Sequence, residues 1–139
     1  MKAVLDANVV VSASISPKGP PAEIIPAWRA HLFTWVTSHA LLQEIERVLR
    51  SQPIKRYQAW SEDEIEQFMR SVQAIAIIVK PRERLAVIRD LADNRLLEAA
   101  VEGQADVIIT GDSDLLSVGS YKAIEIVTPV RFLAILSGR

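Results

Sequence analysis

The 139-residue chain contains no cysteine, which excludes disulfide bonds and thiolate metal ligands. Its charges are nearly balanced, with a formal net charge of −1, so no overall positive field marks it as a nucleic-acid binder. No apolar run approaches the roughly 18 residues of a membrane span, and Asp6 interrupts the hydrophobic core that a signal peptide would need. From these absences we expect a cytoplasmic protein without a membrane contact.

Half of the residues are hydrophobic, which is enough for the core of a single domain over residues 1–139. Short apolar runs alternate with stretches of helical spacing, and this alternation favours parallel strands joined by helices. The sequence therefore predicts an α/β fold, namely a three-layer α/β/α sandwich around a mostly parallel five-stranded sheet. The predicted strands are residues 3–5, 33–36, 76–79, 106–110 and 124–127. The predicted helices cover residues 22–31 with a bend at Pro26, 38–50, 61–72, about 93–103, and a last segment from Pro129.

Asp6 comes directly after the first predicted strand. An unpaired carboxylate buried inside a strand costs several kcal/mol, so Asp6 belongs at the strand's carboxyl end. In open parallel sheets this edge is where ligands bind. Asp112 follows the fourth predicted strand in the same way, and Glu44 and Asp93 lie in the first turns of helices that begin at the same edge. The pattern predicts that four distant carboxylates converge.

Several like charges at one place raise each other's pKa and destabilise the fold. A divalent ion with a preference for hard oxygen ligands, Mg²⁺ or Mn²⁺, relieves that repulsion. Water held on such an ion can attack a phosphodiester. Each acid alone also has an ordinary structural explanation, as a helix cap or dipole partner for Glu44 and Asp93, or as a turn residue for Asp112. Only the set of four favours a metal site.

Four segments resemble the acidic motifs of PIN-domain proteins, in the family's order and at plausible spacing. They read Val-Leu-Asp6-Ala-Asn8, Ser38-His-Ala-Leu-Leu-Gln-Glu44, Asp93-Asn-Arg-Leu-Leu-Glu and Ile-Ile-Thr110-Gly-Asp112-Ser-Asp114. The likeness is to VapC-type ribonucleases, the toxin components of toxin–antitoxin pairs. The third motif departs from the family's usual Asp-Pro-Asp-Asp, because residues 90–93 read Asp-Leu-Ala-Asp here.

This resemblance implies a ribonuclease that depends on Mg²⁺ or Mn²⁺, together with a cognate antitoxin protein and often a homodimer. It maps the catalytic and metal-binding carboxylates onto four positions, with a fifth acid sharing the last site and two further residues in support. The catalytic positions are Asp6, Glu44, Asp93 and Asp112, the fifth acid is Asp114, and the supporting residues are Asn8 and Thr110.

An RNA substrate requires cations near the acids, since every nucleotide carries a phosphate charge. The first cationic cluster lies in residues 47–56, which contain no acid, and we expect it to rim the cleft and bind the RNA backbone. A solvated charged face without function explains such a run equally well. The first cluster is Arg47, Arg50, Lys55 and Arg56; a second, diluted by Glu83, is Lys80, Arg82, Arg84 and Arg89.

Two other functions remain open at this point. A phosphohydrolase of the haloacid-dehalogenase type also has an Asp after its first strand and a later Gly-Asp. That class needs a second Asp two residues after the first, where this chain has Asn8. Alternatively, the chain keeps the fold as a non-catalytic partner-binding module, because the apolar helix faces in residues 41–49 and 65–72 could bury against a partner.

Overall fold

The computed structural model describes residues 1–138, so Arg139, the last residue of the predicted domain, lies outside the described residues. Within residues 1–138, no helix is both long and apolar enough to cross a membrane. The strands are β1 (Lys2–Leu5), β2 (Thr34–Ser38), β3 (Ile77–Val79), β4 (Val107–Ile109), β5 (Ser120–Tyr121) and β6 (Ile124–Val127). The helices are α1 (Ala7–Ile15), α2 (Pro20–Arg29), α3 (His39–Leu49), α4 (Gln52–Lys55), α5 (Glu62–Ile75), α6 (Leu91–Glu102), α7 (Ser113–Leu116) and α8 (Pro129–Leu136).

The sheet has the strand order β3-β2-β1-β4-β6-β5 and is parallel except for the β5–β6 pair. The predicted mostly parallel sheet is therefore confirmed, but the predicted strand number of five is wrong, since the described residues form six. The additional strand, β5, joins β6 through Lys122 and Ala123, whose φ angles are 47° and 66°. Hairpin turns with two positive φ angles usually contain Asn or Gly, so Lys-Ala gave no signal for this strand.

Alternating burial along the strands produces the three layers. Ala3 and Leu5 belong to the hydrophobic core beneath α1, α2, α3, α5 and α8, whereas Val4 belongs to a second core beneath α6 and α7. Successive strand residues point to opposite faces of a sheet, so β1 contributes to both cores. The predicted α/β/α sandwich is confirmed.

The predicted helices lie where the structure has helices, but the residues at which they begin and end differ. The Ser61–Glu64 capping box of α5 is formed: Glu64 N–H donates to Ser61 Oγ at 3.2 Å and Ser61 N–H donates to Glu64 Oε1 at 3.1 Å. Helix α2 begins at Pro20 rather than at residue 22, and it continues through Pro26. Residues 82–92 fit either a helix or a loop from the sequence; residues 82–90 are irregular, and α6 begins at Leu91.

Helix α1 was absent from the predicted elements. Its centre is Val9-Val10-Val11, and β-branched residues have low helix propensity. All three valines are nevertheless buried in the core shared with α2 and α3. Tertiary burial outweighs local propensity here.

Gly103, directly after α6, brings that helix close to the sheet. A Cβ atom at residue 103 would lie 2.4 Å from Val36 Cγ1 of β2, which is too close for any side chain. Because glycine has no Cβ, α6 can pack tightly against the sheet, and this helix carries Asp93.

Candidate active site

The carboxyl ends of β1 and β4 lie side by side at one edge of the sheet. Asp6 N–H donates to the Ile109 carbonyl at 3.0 Å, and Thr110 N–H donates to the Val127 carbonyl at 3.0 Å. The parallel ladder thus continues one residue beyond each strand and places Asp6 next to Thr110.

Thr110 links the segments that carry the first and fourth acidic motifs. Its fully buried hydroxyl donates to Asp6 Oδ2 at 2.7 Å and accepts from Asp112 N–H at 3.0 Å. Asn8 Oδ1 accepts a longer hydrogen bond, of 3.4 Å, from Gly111 N–H. Both residues hold backbone or side-chain groups around the two acids, and their role in support of a metal site stays a prediction.

Asp112 caps the short helix α7. Its Oδ1 atom accepts from Asp114 N–H at 3.2 Å. One carboxylate oxygen of Asp112 is thus occupied by the helix end. The Asp114 side chain is exposed, and the contact that the structure gives this residue at the site is through its backbone.

Asp93 is the most buried of the acids predicted to bind a metal. It lies in the first turn of α6, which Asp90 caps by accepting from Ala92 N–H at 2.9 Å. Asp93 is only 6% exposed, and its Oδ2 atom is buried without a hydrogen-bond partner among residues 1–138. Burial, followed by the charges of Asp112, Asp90 and Asp6, raises the pKa of Asp93 to about 7. Such a carboxyl group requires either a proton or a cation.

Asp6 shares this electrostatic environment. Burial is the main cause that raises the pKa of its carboxyl group, the charge of Asp112 adds to the rise, and the hydrogen bond from Thr110 opposes it. Asp6, Asp93 and Asp112 therefore interact with one another although they come from three distant segments, as the sequence predicted.

Glu44 lies on the wall of the same cleft but its charge is paired. The cleft has a volume of about 330 Å³, and its lining includes Asp6, Asn8, Glu44 and Asp93. The Glu44 carboxylate accepts from Arg47 of its own helix at 2.7 and 3.2 Å. Its role as a fourth metal ligand stays a prediction, because that role requires Glu44 to leave Arg47.

The residues of the cleft fit a divalent ion in their chemistry. Hard oxygen donors with excess negative charge are what Mg²⁺ and Mn²⁺ prefer, and the buried Asp93 oxygen lacks a partner. In the part of the chain that the structure describes, no three Asp, Glu or His side chains already stand close enough to hold one ion. Asp6, Asp93 and Asp112 are the residues that would hold such an ion.

The cations predicted to bind RNA in residues 47–56 are mostly engaged in ion pairs. Arg50 contacts Glu62 at 2.6 Å and Glu66 at 3.0 Å, and Lys55 contacts Glu62 at 2.7 Å. With Arg47 held by Glu44, only Arg56 of the four has no ion pair within residues 1–138. Their contact with RNA stays a prediction. Glu62 and Glu66, which pair with Arg50 and Lys55, come from α5, and Arg50 also pairs with Glu46 of its own helix.

Two polar residues of α6 were not singled out from the sequence. Asn94 is fully buried; its Oδ1 accepts from two backbone N–H groups of residues 87–88, and its Nδ2 donates to the Ile88 carbonyl at 2.7 Å. Glu98 is buried as well and accepts from Leu85 N–H at 2.8 Å. Together they fix the irregular segment beside Asp93. The sequence feature that could have identified Asn94 and Glu98 is the presence of two polar residues within an otherwise apolar helix face.

Comparison with known proteins identifies the family and the fold. A family model described as PIN domain matches residues 2–114, which contain all four acidic segments. "Uncharacterized protein MJ1680" of Methanocaldococcus jannaschii is 33% identical over 118 residues, which cover 85% of this chain and 75% of that protein. The crystal structure of PAE2754 from Pyrobaculum aerophilum aligns over 100% of this chain and 91% of that one, with a TM-score of 0.64. At 15% identity the latter shows a shared fold alone.

Proposed function

The chain belongs to the PIN-domain family, whose members are in general nucleases, and from this premise we propose that it is a metal-dependent endoribonuclease that hydrolyses RNA phosphodiesters. The observation that carries the proposal is the buried Asp93 oxygen without a partner, close to the charges of Asp6 and Asp112. A fold that served only as a scaffold would gain stability by replacing this unpaired acid.

In this proposal Asp6, Asp93 and Asp112 hold a Mg²⁺ or Mn²⁺ ion, and Thr110 fixes the orientation of Asp6 through the 2.7 Å hydrogen bond. When bound, the ion supplies an activated water and stabilises charge on the phosphate. Asp93, whose pKa is about 7, releases its proton when it becomes a ligand. Glu44, on the cleft wall, orients the attacking water. Attack at phosphorus in line with the leaving 3′-oxygen leaves a 5′-phosphate.

We also propose that the protein is the toxin of a toxin–antitoxin pair, with an antitoxin segment that covers the acidic edge, and that it forms a homodimer. The likeness to VapC-type ribonucleases supports this role. Val87, in the irregular segment before α6, and Leu91, the first residue of α6, are 51% and 71% exposed, and they are the apolar side chains near Asp93 that such an antitoxin segment would cover. A short open reading frame directly upstream, whose product co-purifies with this chain, is the expected finding.

The decisive experiment is RNA cleavage by the purified protein with Mg²⁺, with a chelator, and after Asp6→Asn or Asp112→Asn. Asp63→Asn is the matched control, because Asp63 is exposed on α5, away from the cleft. We expect the unaltered protein to cleave RNA only with the metal and to leave 5′-phosphate ends. Among the variants, only Asp63→Asn should retain this activity. Cleavage that persists with the chelator and with Asp6→Asn would refute the proposal.

The haloacid-dehalogenase alternative predicts hydrolysis of a small aryl phosphate without RNA cleavage. Asn8 contradicts this alternative, because its amide side chain cannot serve as the acid of that mechanism. In the structure this side chain accepts a hydrogen bond from Gly111 N–H. The non-catalytic alternative predicts that the protein binds no Mn²⁺, and that Asp6→Asn has no effect in cells.

A further inference from the structure

A cationic groove lies next to the acidic cleft. It has a volume of about 450 Å³ and is bounded by the first turn of α3, the segment that follows β3, and α6. We call it the Lys80–Arg84 groove. The charged residues that line it are Lys80, Arg82, Glu83, Arg84, Arg95 and Glu98.

Two of its four cations are fixed by carboxylates. Arg82 donates from Nε and Nη2 to the two oxygens of Glu102, both at 3.1 Å. Arg95 contacts the buried Glu98 at 2.9 Å. These pairs order the walls of the groove and hold the segment after β3 against α6.

The other two cations remain available to a ligand. Lys80 is exposed and has no ion pair among the described residues. Arg84 is 78% exposed and stands 3.8 Å from Glu98, which already accepts from Arg95 and Leu85 N–H. Four cations thus face three acids along the groove, namely Glu83, Glu98 and Glu102. In the first cluster the four cations face as many carboxylates: Glu44, Glu46, Glu62 and Glu66.

The groove and the acidic cleft share two helices and adjoin each other. On α3, Ala40 lines the groove and Leu41 lines the cleft. On α6, Asp93 lines the cleft and Glu98 lines the groove, which is a rise of about 7.5 Å along the helix axis at 1.5 Å per residue. A ligand with successive negative charges could therefore lie in the groove while its next unit reaches the acids.

We infer that the Lys80–Arg84 groove binds backbone phosphates of single-stranded RNA beside the scissile bond, and that the first cluster does not. This inference rests on the proposed nuclease function and names the surface that holds its substrate. The cations of the groove outnumber its acids. The cations of the first cluster are instead matched by carboxylates of α3 and α5. An acidic peptide would meet the same cations, but it offers the adjoining cleft no phosphodiester.

The test measures binding of a short fluorescent single-stranded RNA in the Asp6→Asn background, which prevents cleavage. Lys80→Gln with Arg84→Gln removes two exposed charges from the groove. Lys18→Gln with Arg70→Gln removes two exposed charges elsewhere and serves as the matched control. Lys55→Gln with Arg56→Gln tests the first cluster. Thermal unfolding of each variant shows whether the fold is kept.

We expect the groove variant to bind RNA about tenfold more weakly in low salt, with a salt slope reduced by about 1.4 for two lost phosphate contacts. The control should stay within about twofold of the parent at the same salt. A groove variant that binds like the control overturns the inference, as does a larger loss in the Lys55–Arg56 variant. Binding of a glutamate-rich peptide, but not of RNA, that depends on Lys80 and Arg84 also overturns it.

Failure of the proposed function gives a different result. Metal-dependent cleavage by the unaltered protein, together with an unaffected groove variant, refutes the groove alone. Absence of cleavage, together with RNA binding that depends on Lys80 and Arg84, refutes the nuclease and retains the groove. Absence of both cleavage and RNA binding refutes both.

Discussion

The acidic cleft and the surface between α3 and α5 differ in how their charged side chains are paired. In the cleft, Asp93 keeps a buried oxygen without a partner and interacts with the like charges of Asp6 and Asp112. On the α3–α5 face, which we define as Glu46, Arg50, Lys55, Glu62 and Glu66, every one of these charges meets an opposite one. The cleft is supported instead by neutral groups, mainly the Thr110 hydroxyl and the Asn94 amide.

This difference separates charges that serve the fold from charges that serve a ligand. Exposed ion pairs stabilise a protein only slightly, and they are easily tolerated. Buried like charges destabilise it, and they persist where a bound ion compensates for them. If the comparison is correct, changes to the neutral supports of the cleft should have large effects, and changes to the α3–α5 face should have small ones.

The largest effect is expected for Thr110→Val, which keeps the shape of the side chain and removes the hydroxyl. Asp6 then loses its 2.7 Å hydrogen bond and Asp112 N–H loses its acceptor. Loss of a partner that orients a metal ligand lowers activity by about 10–100-fold, so RNA cleavage should fall within that range. Thr110→Ser should restore most of it, and Thr34→Val, at an exposed strand position, is the control. Equal cleavage by the Val and Ser variants would contradict this account.

Asn94→Ala should have the next largest effect. The substitution leaves two buried backbone N–H groups and the Ile88 carbonyl without a hydrogen-bond partner. We expect this loss to lower the unfolding free energy by about 2–3 kcal/mol. Urea unfolding measures this change, with Gln73→Ala on the exposed face of α5 as the control. A loss as small as that of the control would mean that the segment beside Asp93 does not depend on Asn94.

Asp93 should make the metal-free protein less stable as the pH rises. Its native pKa is about 7, against about 3.9 in the unfolded chain, so the native state binds the proton more tightly. The stabilisation is complete below about pH 4 and is lost as the pH rises through about 7. We expect the unfolding free energy in chelator to fall by about 2–3 kcal/mol from pH 5 to pH 8. Asp93→Asn should abolish this slope and Mg²⁺ should weaken it; a slope unchanged by Asp93→Asn would assign it to other groups.

The smallest effect is expected on the α3–α5 face. Arg50 joins three carboxylates with a side chain that is 32% exposed, and exposed networks of this kind contribute about 0.5–1 kcal/mol. Arg50→Ala should reduce the unfolding free energy by about this amount, and high salt should diminish the difference. Arg70→Ala, with Glu66 as its ion partner, should change less. A loss of several kcal/mol for Arg50→Ala would erase the contrast between the two regions.

The acids of the cleft were predictable because strand ends follow a local rule. Asp6 comes directly after a buried apolar run, and Asp112 follows another one after Thr110 and Gly111. Parallel strands end at one edge, so the sequence alone placed the two acids together. Asp93 was found in the same way from the start of α6. Glu44 shows the limit, because its position on the cleft wall was predictable, whereas its pairing with Arg47 is a choice of side-chain conformation.

Elements without a local signal were missed. Helix α1 contains three consecutive valines, and β5 depends on a turn without Asn or Gly. Only burial against α2 and α3 stabilises the first, and only pairing with β6 creates the second. The ion pairs of Arg50 and Lys55 with Glu62 and Glu66 were also not predicted. These two acids lie in α5, outside the acid-free run of residues 47–56.

The sequence by itself determined the layered α/β architecture, the strand ends that carry acids, and the capped start of α5, because these follow from hydrophobic period and from hydrogen bonds between close neighbours. Tertiary structure decided which charges would be paired between different elements, and which would be buried together. Electrostatic energy depends on distance and burial, and the fold brings Glu62 to Arg50 while it buries Asp93 among other acids. The same residue types therefore form a neutral surface in one region and a candidate metal site in the other.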